Sequence, residues 1–463
     1  MAASMGLIRR TRTRRLRALA AVGAVLALLT LGTGSAGATI TDRTGRVTQP
    51  YGFVNWDCGY ELDVAGVSTD QILIRVDRKD PRIVYVTDNY QFHETWTRAD
   101  GSGRSFVFEG NGLAKDVRAT PLGGSLYQFT FHNAGQPFVI RDSAGNLLSR
   151  DRGIFELQYT LDLDIGDPSW NFVDVRFSGP HPSADVDGCL TVAPLTGNNS
   201  ASYLTPRPVG TTSFPQGFYE YLPPSYHATG AKSPLLVFTN GYGENGDGSP
   251  DQLPNMLNAG IPRFINVGGW PTDRPLVVLA VQHHEEPGFD GSSCDGVEWG
   301  GSCNMQIQHD NDDLQPAFCT TPYEIHDFIA YAVAHYNVDP KRVYVTGLSC
   351  GAFGIWEYLA KYHGSPQVAA AVPIAGDGRP GSSSNYCNLG ETPLWAFHGA
   401  LDDVVNPQGS IEPMSALQRC PGVPSNRARL TVYPDRDHNS WDPAYSGSEG
   451  DDIYSWMLGF SQP

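Results

Sequence analysis

The sequence predicts a mostly parallel β-sheet covered by helices on both faces, preceded by an all-β, sandwich-like domain. Three observations carry that expectation. Short alternating strands without a helical period fill the first third, a polar Gly/Pro/Ser/Thr stretch follows, and beyond it near-continuous apolar strands alternate with helical patterns. At 463 residues the chain exceeds what one hydrophobic core usually organises, so two domains are expected.

Residues 1–38 read as a secretory signal peptide. Arg9, Arg10, Arg12, Arg14, Arg15 and Arg17 form a basic head before an apolar run from Ala18 to about Leu31, and Ala36-Gly37-Ala38 offers a small-residue cleavage pattern. The apolar run is short for a membrane span. Two Arg-Arg pairs leave both the general and the twin-arginine export routes open. Without that segment the balance is roughly 26 basic against 49 acidic residues. Such a charge argues against nucleic-acid or anionic-membrane partners and sets no oligomeric state.

From 39 to 196 the alternating runs "QILIRVD", "RIVYVTD", "SFVFEG", "LYQFTFHN", "FELQYTLDLD" and "NFVDVRF" are separated by Gly, Asp, Asn and Pro clusters, as in an antiparallel sandwich. Tyr51, Phe53, Trp56, Trp96 and Trp170 are either this domain's core or a surface for an insoluble polymer, and core is the favoured reading. The stretch 197–217 reads as a linker. From 218 to 463 the expected strands are "SPLLVFTNG", "RPLVVLAVQ", "RVYVTGLS", "VAAAVPIAG", "PLWAFHG" and "RARLTVYP". The helices are "DQLPNMLNAGIPRFI", "PYEIHDFIAYAVAHYN", "GAFGIWEYLAKYHG", "IEPMSALQRC" and "DDIYSWMLGF".

The eight cysteines all follow the signal segment, and an even count in an exported chain suggests disulfides. The spacings do not fix the connectivity; Cys58 with Cys189 would tie the ends of the first domain and Cys387 with Cys420 would stay within the last third, leaving Cys294, Cys303, Cys319 and Cys350 to pair among themselves. The spacings match no zinc pattern.

The chemistry gathers at the carboxyl ends of the second domain's strands, the functional edge of such a sheet. "VYVTGLSCG" sets Ser349 between a strand and a helix, with Gly347 and Gly351 permitting a tight nucleophile elbow; the bland alternative is a glycine-flanked helix cap. A serine hydroxyl needs a base and a carboxylate to orient that base. Downstream of Ser349 stand His363 at a helix end, His398 before the candidate acids, where a hydrogen bond would stabilise the loop, and His438 beyond the last strand. His438 is the expected base. Asp402 is the expected acid ahead of Asp403, with Asp377 third. The oxyanion donors would be the N–H groups of Cys350 and Tyr242, the latter in "TNGYGENGDG".

"LVFTNGYGENGDG", "VYVTGLSCGAFGIWEYLA", "LWAFHGALDDVV" and "DHNSW" resemble the α/β-hydrolase superfamily, in its secreted esterase and depolymerase branch of feruloyl esterases, acetylxylan esterases and polyhydroxybutyrate depolymerases. The likeness covers 218–463 and leaves the first domain aside. It implies a nucleophile at Ser349, an acid at Asp402 in the His-Gly-x-x-Asp pattern, a base at His438 and an oxyanion loop at Gly241–Gly243, with no cofactor. One departure stands out: the usual His-Gly of that loop is Asn240-Gly241, which keeps the backbone donor and alters the packing. A bridge from Cys350 to Cys319 would stiffen the elbow.

Specificity is expected in the loop from His283 to Pro322, where Cys294 and Cys303 would form a staple and Trp299 a flat contact surface, and at Trp441 beside the base. The loop's carboxylates, with His283 and His284, fit a solvated face or structural roles better than a metal site, and no metal is expected. The expected activity is hydrolysis of carboxylic esters, with a plant-wall ester or a polyester polymer as the partner. Two rivals share the scaffold: a prolyl-oligopeptidase-like serine peptidase, disfavoured by the lack of a propeller-like repeat, and a non-catalytic polymer-binding protein.

Overall fold

The structure, a computed structural model, describes residues 41–77, 80–164, 171–184, 186–284, 319–365, 367–379 and 386–463. The expected signal segment lies outside these residues, as do Trp170, Cys294, Trp299 and Cys303. Two compact units are present: one runs up to Gly197 apart from Cys58–Tyr60, and the other comprises Cys58–Tyr60 and Asn198–Pro463.

The first unit is all antiparallel. Its strands are β1 (Thr41–Arg43), β2 (Val47–Asn55), β3 (Leu62–Val76), β4 (Val84–Arg98), β5 (Ser105–Gly123), β6 (Leu126–Asp142), β7 (Leu147–Arg150), β8 (Gly153–Asp162) and β9 (Asn171–Ser178). They pair in the order β1-β3-β4-β5-β6-β8-β9, with β2 added on β3 and β7 on β6. The pairing forms one continuous sheet, in which β3 to β6 are long strands of 15 to 19 residues. Strand β3 pairs with β2 through Leu62–Asp70 and with β1 through Leu73–Arg75. The sequence pattern detects only the apolar second half of β3. Its first half contains Gly66, where an added Cβ would come within 2.8 Å of both the Tyr51 ring and the Glu94 side chain. Buried Glu94 accepts hydrogen bonds from Tyr51 Oη (2.5 Å) and Trp96 Nε1 (2.8 Å), while Phe53 stays 40% exposed. Phe129, Phe131, Phe155, Leu157 and Tyr159 of β6 and β8 pack with Tyr90 and Phe92 as the core. Helix α1 (Gly188–Thr196) ends this unit, its N-terminus capped by Asp187, which accepts from the Cys189 N–H.

The second unit holds an eight-stranded sheet of β10 (Leu204–Arg207), β11 (Phe218–Tyr221), β12 (Ser233–Thr239), β13 (Val277–Val281), β14 (Val338–Leu348), β15 (Ala370–Ile374), β16 (Leu394–Gly399) and β17 (Ala428–Tyr433). The order is β10-β11-β13-β12-β14-β15-β16-β17. The pairs β10–β11 and β11–β13 are antiparallel and the remainder parallel. Its helices are α2 (Gly260–Asn266), α3 (Pro322–His335), α4 (Cys350–Lys361), α5 (Gln408–Leu417), α6 (Trp441–Ser446) and α7 (Ile453–Leu458).

Alternate residues of the buried strands serve two cores. Leu236, Phe238, Val278, Ala280, Val372 and Phe397 face α2, α6 and α7, whereas Leu235, Val237, Val277, Leu279, Val345 and Ala396 face α3, α4 and α5. Burial on both faces is why these strands read as continuous apolar runs. Two expectations need correction. The stretch 197–217 is not a plain linker, because Leu204–Arg207 pairs with β11 as an edge strand; its polar residues suit an edge. The helix expected over "DQLPNMLNAGIPRFI" is a 3-10 turn (Leu253–Asn258) followed by α2. It breaks at Gly260, whose φ of +63° and contact with Phe238 admit no Cβ.

Cys319–Cys350 and Cys387–Cys420 are disulfides, and Cys58 and Cys189 are also disulfide-bonded.

Candidate active site

Strand β14 delivers its last residue, Leu348, to the carboxyl edge of the sheet, and α4 begins at Cys350. Between them Ser349 has φ 49° and ψ −118°, a strained conformation for a residue with a Cβ. The surrounding backbone imposes it. The Ser349 N–H donates to the Ile374 carbonyl (2.9 Å), and its own carbonyl accepts from the Phe353 N–H (3.1 Å) in the first turn of α4. The flanking glycines have no alternative. A Cβ at Gly347 would lie 2.0 Å from Thr239 Oγ1, and one at Gly351 would lie 2.4 Å from the Thr239 carbonyl oxygen. The turn is thereby pressed against the end of β12.

His438, beyond β17, places Nε2 3.0 Å from Ser349 Oγ, and its Nδ1–H donates to Asp402 Oδ2 at 2.8 Å. The tautomer follows from the partners: the nitrogen facing a carboxylate carries the proton, which leaves Nε2 as an acceptor for the serine hydroxyl. The three residues expected from the sequence as nucleophile, base and acid are therefore one hydrogen-bonded line. Asp403 is exposed, and Asp377 is buried against Arg379 (2.5 Å) instead.

Asp402 is fully enclosed. Its Oδ1 accepts from the Val404 and Val405 N–H groups (3.0 and 2.8 Å). Its Oδ2 lies 3.1 Å from His398 Nε2 as well as against His438. Burial alone would raise this carboxyl's pKa, but hydrogen bonds from His398 and His438, the His438 charge and the Val405 N–H overcome it and hold the group well below the carboxylate range. It therefore stays ionised through neutral pH.

The loops carrying acid and base are stitched together by backbone. Ala400 N–H donates to the Tyr433 carbonyl (2.8 Å) and Leu401 N–H to that of Arg436 (2.9 Å). Gly399 is indispensable at this crossing, since a Cβ there would stand 2.1 Å from the Asp437 carbonyl oxygen. The Gly of the His-Gly-x-x-Asp pattern is thus the contact point for the histidine loop.

On the other side of Ser349, the loop after β12 turns at Gly241 into a 3-10 turn (Tyr242–Glu244). A Cβ on Gly241 would sit 3.6 Å from that of Ser349, so the loop backbone runs beside the serine. Asn240 replaces the resembling family's histidine. Its Nδ2 donates to the Gly241 carbonyl and Asn245 Oδ1 (both 2.8 Å), and its Oδ1 accepts from the His283 N–H (2.8 Å). The neutral amide, fully buried, pins the loop at three points. Tyr242 is 43% exposed, and Cys350 at the start of α4 lies at the positive end of that helix.

Glu244 ends the 3-10 turn beside Gly241. Burial, opposed by an N–H bond from Gly241, pushes its carboxyl from 4.5 up to about 7. No sequence signal marks it, because the shift arises from a wall that only the fold supplies. Trp441 stands edge-on to the His438 ring, with centroids 5.1 Å apart at 89°. His283, 3% exposed at its side chain, is paired with Glu324 (2.9 Å), which also caps α3 through Thr321. Among the described residues no group of three or more His, Cys, Asp or Glu is placed to hold a metal ion, and no helix is long and apolar enough to cross a membrane.

No family model matches the chain. Over 120 residues it is 31% identical to the bifunctional acetylxylan esterase/xylanase XynS20E of Neocallimastix patriciarum, a match covering 24% of this chain and 17% of that protein. The chain therefore spans less than a fifth of that curated relative. Similar solved structures include a thermostable esterase (20% identity, 74% of this chain and 76% of that one, TM-score 0.38). Others are the feruloyl esterase module of Clostridium thermocellum (15%, 59% and 92%, TM-score 0.39) and a prolyl endopeptidase (10%, 90% and 82%, TM-score 0.35). With two antiparallel strands leading into a parallel sheet whose fifth strand ends in a serine elbow, the second unit has the α/β-hydrolase fold.

Proposed function

We propose that the chain is a secreted serine hydrolase of carboxylic esters, acting on polymer-linked esters such as plant-wall feruloyl or acetyl esters or polyesters. The observation that carries this reading is the line from Ser349 Oγ through His438 to the ionised Asp402, with the serine on a strained elbow.

In the proposed cycle Ser349 Oγ attacks the ester carbonyl carbon while His438 Nε2 takes its proton. Asp402 keeps the ring oriented and stabilises the imidazolium. The oxyanion is held by the Cys350 and Tyr242 N–H groups, and its collapse expels the alcohol, which leaves with the proton from His438. Water, deprotonated by His438, then attacks the acyl-Ser349 ester and releases the acid. No cofactor is required for this cycle. The loops around the site carry exposed apolar side chains, Tyr242, Leu401 (62% exposed) and Val404, with Trp441 beside the base, which suits an apolar or polymer-borne ester. The curated relative's name, acetylxylan esterase/xylanase, points to acetyl groups on a polysaccharide as the first natural substrate to try.

The test is p-nitrophenol release from acetate and butyrate esters by the protein and by Ser349→Ala, alongside matched amides and a fluorophosphonate label. Ester hydrolysis is expected to fall by roughly a million-fold to background in the variant, with no labelling. Amide cleavage at comparable kcat/KM would favour the peptidase. A folded protein that is inert and unlabelled would sink the hydrolase reading.

A further inference from the structure

The acid of the proposed triad has a second histidine. His398, the last side chain of β16 before Gly399 and fully buried, directs Nε2 at two acceptors at once, the Val405 carbonyl (3.0 Å) and Asp402 Oδ2 (3.1 Å). A nitrogen that faces only acceptors carries the proton, so Nε2–H is shared between them. The other ring nitrogen, Nδ1, lies 2.8 Å from Ser410 Oγ on α5, and that hydroxyl is also 3.4 Å from the Gly376 carbonyl. Its orientation is thus set from a helix outside the site. The same carboxylate oxygen receives Nδ1–H of His438, which gives a continuous order Ser410, His398, Asp402, His438, Ser349.

We infer that His398 is a positioning residue that tunes His438 through Asp402. It acts by sharing the carboxylate oxygen on which the base depends. The two imidazoles compete for one oxygen. A carboxylate oxygen that already accepts a hydrogen bond has less negative charge to offer the next donor, so His398 weakens the pull of Asp402 on a protonated His438 and keeps the base neutral to lower pH. Removing the donor concentrates that charge on His438 and makes its imidazolium more stable. The depressed pKa of Asp402 agrees with a carboxylate fed by both rings.

The other charged groups nearby are paired or exposed. Asp377, packed under Gly409 at the start of α5, is neutralised by Arg379. Asp403 and Asp437 are exposed, and Arg436 on the histidine loop is paired with Glu449.

The role in turnover rests on the ester-hydrolase reading, but the test does not. The His438 ring is titrated by NMR in the wild-type protein, His398→Gln, His398→Leu and Ser410→Ala, with the signal assigned from His438→Gln and folding checked by circular dichroism. Leucine removes the donor, and its His438 pKa is expected to rise by about one unit. Glutamine can place an amide N–H near the Nε2 position and is expected to restore most of the wild-type value. Ser410→Ala frees the ring's far side and is expected to shift the pKa the same way by less. An unmoved pKa in the folded leucine variant overturns the inference, as does an equal shift in the leucine and glutamine variants, which would mark a merely structural effect. Should the leucine variant not fold, an unmoved pKa in Ser410→Ala overturns it instead. In an active protein the acid limb of kcat/KM should follow the NMR value. An inert protein would end the esterase reading and leave this titration standing.

Discussion

The two arms of the site are held by different physics. On the serine side, rigid backbone does the holding: two glycines without room for a Cβ, a strained φ of 49°, and a disulfide on the next residue. On the acid side the loops also meet at a glycine without room for a Cβ, Gly399, but the carboxylate itself is held by hydrogen bonds: two backbone N–H groups on one oxygen of Asp402 and two imidazoles at the other. Steric confinement is all or none, because a clash at 2.4 Å cannot be partly relieved without moving a strand. Hydrogen-bonded confinement is graded, because each donor can be removed singly at a cost of about 1 to 3 kcal/mol.

That contrast can be broken first at the acid. Asp402→Asn keeps the shape but faces His438 and His398 with an amide, which turns the base to the wrong tautomer. kcat on a p-nitrophenyl ester is expected to fall roughly ten-thousand-fold with the thermal midpoint changed far less. A fall of under tenfold would remove Asp402 from the proposed mechanism.

The elbow should answer with stability as well. Gly351→Ala places a methyl 2.4 Å from the Thr239 carbonyl oxygen. Denaturant melts are expected to show a loss of at least about 3 kcal/mol together with loss of ester hydrolysis. Retention of both would mean that β12 and the elbow can separate, contrary to the steric account.

The smallest expected effect sharpens the boundary between the arms, at Glu244 beside Gly241. Its carboxyl is raised from 4.5 to about 7, so in that pH window the folded protein holds a proton that the unfolded chain has released. Stability is accordingly lost as pH rises through the window, and the loss is constant above it. Glu244→Gln should therefore melt higher than wild type by several degrees above pH 7, with the gap closing towards pH 4.5. A gap independent of pH would show that the carboxyl does not titrate there.

How far the sequence discloses this arrangement depends on whether the constraint is local. Strands buried on both faces announce themselves, and so do a glycine-flanked serine and a His-Gly-x-x-Asp run, because each signal sits within a dozen residues. Strand β10 was hidden in a polar stretch because an edge strand needs no apolar pattern. The first half of β3 was hidden because Gly66 and its polar neighbours serve a packing visible only across strands, under Tyr51 and Glu94. The shared oxygen of Asp402 joins residues from β16, the loop after it and the loop after β17, and the proton affinity of Glu244 depends on what covers it. Neither is a property of a short segment. Asn240 lies between these cases: the departure from histidine is legible, but its three hydrogen bonds are not.

Cys350 carries one further consequence. The residue after the serine has its sulfur committed to Cys319, so among the described residues the sulfhydryl chemistry adjacent to the elbow is already spent in the oxidised protein. Alkylating reagents should find nothing to modify at this position, whereas a reductant in the buffer acts on the elbow itself. A preparation's redox history is therefore expected to enter any ester hydrolysis measured on it, and production in a reducing cytoplasm yields a chain chemically different from the one made in an oxidising compartment.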